Sequence, residues 1–211
     1  SEDSGDFTAA LFFRRDSSDW FASAEGFFGR ASVDTERRPL PGVVAESEYS
    51  LKWFGAALSA GKLFELGGVR ITPRLGLGYV RLEFLGLTET GAPGWNQVIL
   101  PARNNSLEIR AGVHFTREID LGGKIFSPRL DLGFGYETRD TTMIMMARFA
   151  DQEVIAPFVN ETPDPGRARA LVELGGTLSL TDRVDLYFDY KGVFRRSDRI
   201  HGVTVGASFS F

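Results

Sequence analysis

Cysteine is absent from the 211 residues, histidine occurs only twice, and no apolar run approaches the roughly 20 residues that a membrane-crossing helix needs. Without cysteine there is neither a disulfide framework nor a thiolate zinc site, and a thiol-free chain suits an oxidising compartment. Two distant histidines, His114 and His201, cannot hold zinc unless the fold gathers carboxylates around them, so no metal or other cofactor is expected. A mean hydropathy of -0.11 with 25% charged residues excludes a bundle of membrane helices. A formal net charge of -4 gives no reason to expect nucleic acid as a partner. The chain opens on the polar SEDSGD, so an exported protein is expected to have lost its leader.

What the chain does have is period-two patterning, with 24 glycines and 18 phenylalanines. In RVDLYFDYKGVF, Val184, Leu186, Phe188, Tyr190 and Phe194 share one face, while Asp185, Tyr187, Asp189 and Lys191 share the other. An amphipathic helix cannot produce that alternation. The segment RARALVELGGTLSL sets Ala168, Ala170, Val172, Leu174, Leu178 and Leu180 against Arg169, Glu173, Thr177 and Ser179. Three more segments repeat it: Val69, Ile71, Leu75, Leu77 and Tyr79 against Arg70 and Arg74; Leu107 to Phe115 against Glu108, Arg110 and His114; Leu130 to Tyr136 against Arg129 and Asp131. Upstream, DFTAALFFRR, DWFASAEGFFGRA and KWFGAALSAGKLF also read as strands, although Phe12, Phe21, Phe27 and Trp53 interrupt their polar faces. In a soluble sandwich the apolar face meets a second sheet; in a membrane barrel it meets lipid, and the polar face lines the interior.

The connections decide for the barrel. Short links rich in Gly, Asp and Ser fall at 15–19, 65–68, 120–124 and 181–183, and long links with proline and polar residues are expected at roughly 33–48, 87–104 and 139–166. Outer-membrane barrels alternate short periplasmic turns with long external loops in this way. The expected fold is therefore an all-β, antiparallel transmembrane outer-membrane β-barrel, with about nine strands in one domain over residues 1–211. The charged residues expected to face the lumen are Arg70, Arg74, Glu108, Arg110, Arg129, Asp131, Glu173, Asp185, Asp189 and Lys191. Because such barrels normally have an even strand number, an odd number of further strands is expected.

The chain ends TVGASFSF, in which every second residue from Val203 to the terminal Phe211 is apolar. Thr204, Gly206, Phe209 and Phe211 resemble the C-terminal signal by which the barrel assembly machinery recognises outer-membrane barrels. The order of segments resembles the translocator domain of autotransporters, the type V secretion barrels, over nearly the whole chain. The residues that carry it are DWFASAEGFFGRASVDTERR, LSAGKLFELGGVRITPRLGLGYVRLEFLGLTETG, SLEIRAGVHFTREIDLGGKIFSPRLDLGFGYE, MARFADQEVIAPF and TDRVDLYFDYKGVF. Two strands open with Thr72-Pro73 and Ser127-Pro128 after a Gly-Gly turn, and Arg74 and Arg129 stand where the family commonly has an aromatic.

The resemblance implies strands four to twelve of a twelve-stranded barrel in the bacterial outer membrane that carries or exports an N-terminal passenger. It also implies lipid, lipopolysaccharide and the assembly machinery as partners. The alternative is a stand-alone outer-membrane channel, or a structural barrel that associates with other surface proteins. No enzyme is expected. His114 reads as an interior hydrogen-bonding residue, and Ser197, Asp198 and His201 read as turn chemistry rather than a triad. The run Met143 to Phe149 reads as loop packing or a strand continued beyond the membrane, and FRRSDR as a solvated loop or a phosphate contact.

The terminal aromatic generates the first prediction. Deleting Phe211 leaves synthesis intact and impairs membrane assembly, read as loss of the heat-modifiable form; normal assembly after the deletion contradicts the signal assignment.

Overall fold

Alternating faces and short polar turns fold the chain into one antiparallel meander. The computed structural model describes residues 2–151 and 157–209. Nine long strands follow in order: β1 (Glu2–Asp16), β2 (Trp20–Leu40), β3 (Val43–Lys62), β4 (Val69–Phe84), β5 (Ala102–Arg117), β6 (Ile125–Glu137), β7 (Ala168–Thr181), β8 (Val184–Arg195) and β9 (Arg199–Phe209). Each pairs with its chain neighbour, and among the described residues β1 and β9 do not pair with each other. Short strands at Phe64–Leu66 and Ile119–Asp120 pair onto β4 and β6 at the end of the sheet where the short turns lie. There Gly67 and Gly68, at φ 60° and 76°, close a two-residue hairpin that a side chain would strain.

This sheet has no conventional core. Among the described residues the buried apolar ones are Val33, Ala45, Phe84, Ala92 and Ala147, and no large side chain is fully enclosed. The apolar stripes lie exposed instead: Leu11 at 79%, Leu75 at 67% and Val205 at 77% are representative. A second sheet would cover such a face in a soluble sandwich, and among the described residues none does so. The opposite face curls around a cleft of about 430 Å³ to which eight successive strands contribute, from Phe12 on β1 to Lys191 on β8. The protein is thus a curled, half-barrel sheet, polar inside and apolar outside.

The aromatics that blurred the upstream pattern belong to the inner face. Phe27 shares that face with Ser23 and Glu25 and lies over Gly55 of β3; Phe21 lies over Gly61, and Trp53 over Gly29 of β2. Each of these glycines leaves room for the ring on the neighbouring strand, so Phe21, Phe27 and Trp53 are packed there, whereas Phe12, on the same face of β1, is 62% exposed.

The expected long link at 33–48 is corrected. β2 and β3 continue as a hairpin, with one register shift between Arg37 and Leu40, to a tip at residues 41–42, with Asp34 registered opposite Glu48 and Thr35 opposite Ser47. Ten residues beyond Arg30 extend this hairpin by about 30 Å. The links at 87–104 and 139–166 are also partly strand. Leu87–Thr88, Gln97–Ile99, Ile144–Phe149 and Phe158–Glu161 pair into a second, four-stranded sheet, which a bridge between Glu46 and Thr90 ties to β3. The wall therefore continues beyond its loop end as a collar.

A side chain at Gly55 would collide with the Phe27 ring and would bring its Cβ to 2.6 Å from the Tyr79 carbonyl oxygen. Gly55→Val is expected to cost about 1–3 kcal/mol in urea unfolding, whereas Gly26→Ala, with open space around it, changes the midpoint little.

Candidate functional site: a charged inner face

The strand register gathers the charged residues into rows. One row crosses the sheet as Thr72, His114, Asp131, Glu173, Lys191 and Gly202, and the next as Arg129, Gly175, Asp189 and Thr204. Ser127, Thr177, Tyr187 and Gly206 form a third. Residues directly opposite on neighbouring strands share a face, so Arg70, Arg74, Glu108, Arg110, Arg129, Asp131, Glu173, Asp185, Asp189 and Lys191 all occupy one side of the sheet.

Within these rows the charges neutralise one another. Arg74 donates to one oxygen of Asp131 at 2.7 Å, and the His114 Nδ1–H donates to the other at 2.8 Å. Arg129 donates to Asp189 through Nε at 3.0 Å and through a terminal nitrogen at 2.6 Å. Glu108 accepts from Arg110 and Arg169, each at 2.6 Å, and Lys191 meets Glu173 at 2.6 Å. Arg70 pairs with Glu118 at the turn end. The acceptors at the centre are shielded, with the Asp131 and Glu108 side chains 13% and 12% exposed. Removing a shielded carboxylate therefore strands its cations. Asp185 stands opposite Ser179 and Ser208, with no ion-pair partner among the described residues.

Arg169, placed on the polar face by the sequence but not counted among the lumen-facing charges, and Glu118, not singled out, complete this network. The signal for Arg169 was parity: it alternates with Ala168 and Ala170, on the side of Glu173. Glycine 175 lies under the Arg129 and Asp189 pair, where a Cβ would meet their side chains. The glycines of the inner face are thus the spaces into which the long charged groups fold.

Of the C-terminal residues, Thr204 and Gly206 fall on the inner face, Gly206 beneath the Tyr187 ring, and Phe209 faces outward at 63% exposure. Phe211 lies outside the described residues. The Ser197 hydroxyl donates to the Asp164 carbonyl at 2.7 Å, while the His201 ring bonds the Tyr190 hydroxyl at 2.8 Å and stacks on that ring. Those bonds turn Ser197 and His201 to different partners. Among the described residues no group of three or more His, Asp or Glu side chains is arranged to hold a metal.

A second ion cluster lies outside the wall, in the collar. Arg37 reaches Glu89 with two nitrogens, at 2.7 and 2.6 Å, and the Gln97 N–H donates to the same carboxylate at 2.7 Å. Glu89 is 7% exposed. Burial opposes its ionisation, but the Arg37 and Gln97 hydrogen bonds outweigh it and hold the pKa below the ordinary glutamate value.

An antiparallel, outward-apolar half-barrel with a paired polar interior is the architecture of a membrane β-barrel wall. The chain belongs to the autotransporter β-domain family, which it matches over residues 1–191. That family comprises the outer-membrane β-barrels of type V protein secretion. Among solved structures it is similar to the translocator domain of the autotransporter NalP from Neisseria meningitidis, with TM-score 0.68 and 15% identity over 100% of this chain and 68% of that one. It is also similar to the β-domain of the Bordetella autotransporter BrkA, with TM-score 0.60 and 16% identity over 100% of this chain and 75% of that one. A comparison with curated proteins finds no match.

Because the Glu89 pKa is lowered on folding, its contribution to stability is present above the unfolded glutamate value and is lost as pH falls through the folded one. Hydrogen exchange of residues 87–99, corrected for intrinsic rates, is expected to accelerate as pH drops below the ordinary glutamate range. Glu89→Gln shows that acceleration already at neutral pH, and a pH-independent collar contradicts the assignment.

Proposed function

We propose that the chain forms most of the wall of an outer-membrane translocator barrel that anchors and exports an N-terminal passenger. The observation that carries this is the separation of faces: exposed aliphatic and aromatic side chains outside, mutually paired charges inside, over nine consecutive strands. In this reading the inner face lines the lumen, and the ten charged residues named above set the polarity that a passing chain meets. Arg74 and Arg129, tied to Asp131 and Asp189, line the lumen wall rather than project freely into it. Further strands lie between the free edges of β1 and β9 and bring the total to twelve; a span of 68% and 75% of two translocator domains supports that number. The single barrel domain sits in lipid and lipopolysaccharide after the assembly machinery has read its C-terminal signal. It performs transport and no catalysis.

The exposed Ile144, Met146 and Val159 on one face of the collar favour a second reading, a barrel that associates with another surface protein. The two are separated by following an epitope placed N-terminal to the barrel in the full protein. Export predicts that the epitope becomes sensitive to protease added to intact cells, and that assembly mutants keep it inside. An epitope that stays protected while the barrel is inserted contradicts the translocator role and leaves the associating barrel.

A further inference from the structure

Cations on the two faces of the sheet are treated differently. The central inner cations, Arg74, Arg110, Arg129 and Lys191, each have a carboxylate. On the outer face, Arg30, Lys52 and Arg103 are exposed and have no ion-pair or hydrogen-bond partner among the described residues. They are nevertheless adjacent. Arg30 is registered opposite Lys52, Lys52 opposite Glu83, and Glu83 opposite Arg103. The one carboxylate in this row already accepts from Arg81 at 2.8 Å. Arg30 and Lys52 are like charges directly opposite on neighbouring strands and repel, so an anion from outside the chain would stabilise them.

The position of the row identifies the anion. Along β2 the outward positions from Trp20 to Phe28 carry Trp, Ala, Ala, Gly and Phe, a stretch of the 9–11 residues that a tilted strand needs to cross the hydrocarbon. Outward aromatics mark the loop-end boundary: Phe7 against Phe28 at 6.2 Å between ring centres, and Phe54 against Tyr79 at 6.1 Å. Arg30 and Lys52 come one outward step beyond Phe28 and Phe54, at headgroup depth. Two steps further the same face turns acidic, with Asp34 opposite Glu48. A layer that attracts anions is thus confined to the membrane boundary.

We propose that Arg30, Lys52 and Arg103 form a binding row for the phosphate groups of an anionic glycolipid, lipid A, in the outer leaflet. This rests on the reading of the chain as an outer-membrane barrel with its loop end outward. Guanidinium forks match phosphate oxygens in pairs, and the ammonium of Lys52 adds a point charge between two arginines. FRRSDR, another basic segment on this side, spans the β8–β9 turn and is separate from this row.

The test reconstitutes the full protein in phosphatidylcholine vesicles and reads the thermal midpoint of its heat-modifiable form. Adding bisphosphorylated lipid A raises the midpoint by several degrees, and dephosphorylated lipid A does not. Inorganic phosphate at equal phosphate concentration gives no rise; an equal rise overturns the lipid assignment. The Arg30→Gln, Lys52→Gln, Arg103→Gln triple variant, relieved of the Arg30–Lys52 repulsion, keeps or slightly exceeds the wild-type midpoint in phosphatidylcholine and loses the lipid A rise, and Arg103→Gln alone loses part of it. Arg196→Gln with Arg199→Gln retains the rise. An undiminished rise in the triple variant overturns the row while leaving the barrel reading intact. Failure of the wild type to insert at all overturns both.

Discussion

In hydrocarbon no water is available to the backbone, so every N–H and C=O within the bilayer must find its partner in the protein. This requirement imposes the nine-strand meander, and the remaining features follow from the two faces such a sheet must have. The outer face bears residues that lose little by meeting lipid. The inner face is left with everything polar, and it is too crowded for those groups to remain independently solvated. Asp131 holding both Arg74 and His114, and Glu108 holding Arg110 and Arg169, are what results when long charged side chains are folded over the glycines of neighbouring strands.

The downstream half of the wall was legible because its inner residues are overtly polar. In β8, Asp185, Asp189 and Lys191 alternate with Leu186, Phe188 and Tyr190, and the parity alone assigns the faces. β2 and β3 were harder to read, since Phe21, Phe27 and Trp53 are inner residues that look like outer ones until their glycine partners on the adjacent strand are known. That information is non-local: Gly29 and Trp53 are far apart in sequence and meet only through the register. The hairpin above β2 and β3 was read as a loop for the opposite reason. Beyond the membrane the outer face turns acidic, with Asp34, Glu36, Glu46 and Glu48, while Val33 and Ala45 are buried on the inner side, so these residues carry strand geometry with the apolar alternation reversed.

Pairing among the inner charges was implied by their opposite signs, but the partners depended on side-chain reach. Arg129 crosses Gly175 to find Asp189 two strands away, a contact that spacing cannot specify. The collar was the least legible part. Its central ion pair joins Arg37 on a strand to Glu89 in a connection, and its strands are as short as the two residues Leu87–Thr88. It extends the wall by continuing the β3 edge through Thr90, so the loops are organised by the barrel beneath them rather than by their own composition.

The central claim is that one face of each strand meets lipid and the other meets water in the interior. Since the chain has no native cysteine, single cysteines at each position from 186 to 191 of β8 test it directly in the inserted protein. The account predicts that a water-soluble maleimide labels positions 187, 189 and 191, while a probe attached at 186, 188 or 190 is quenched only by a quencher dissolved in the lipid. Labelling without alternation, or the opposite alternation, would contradict it.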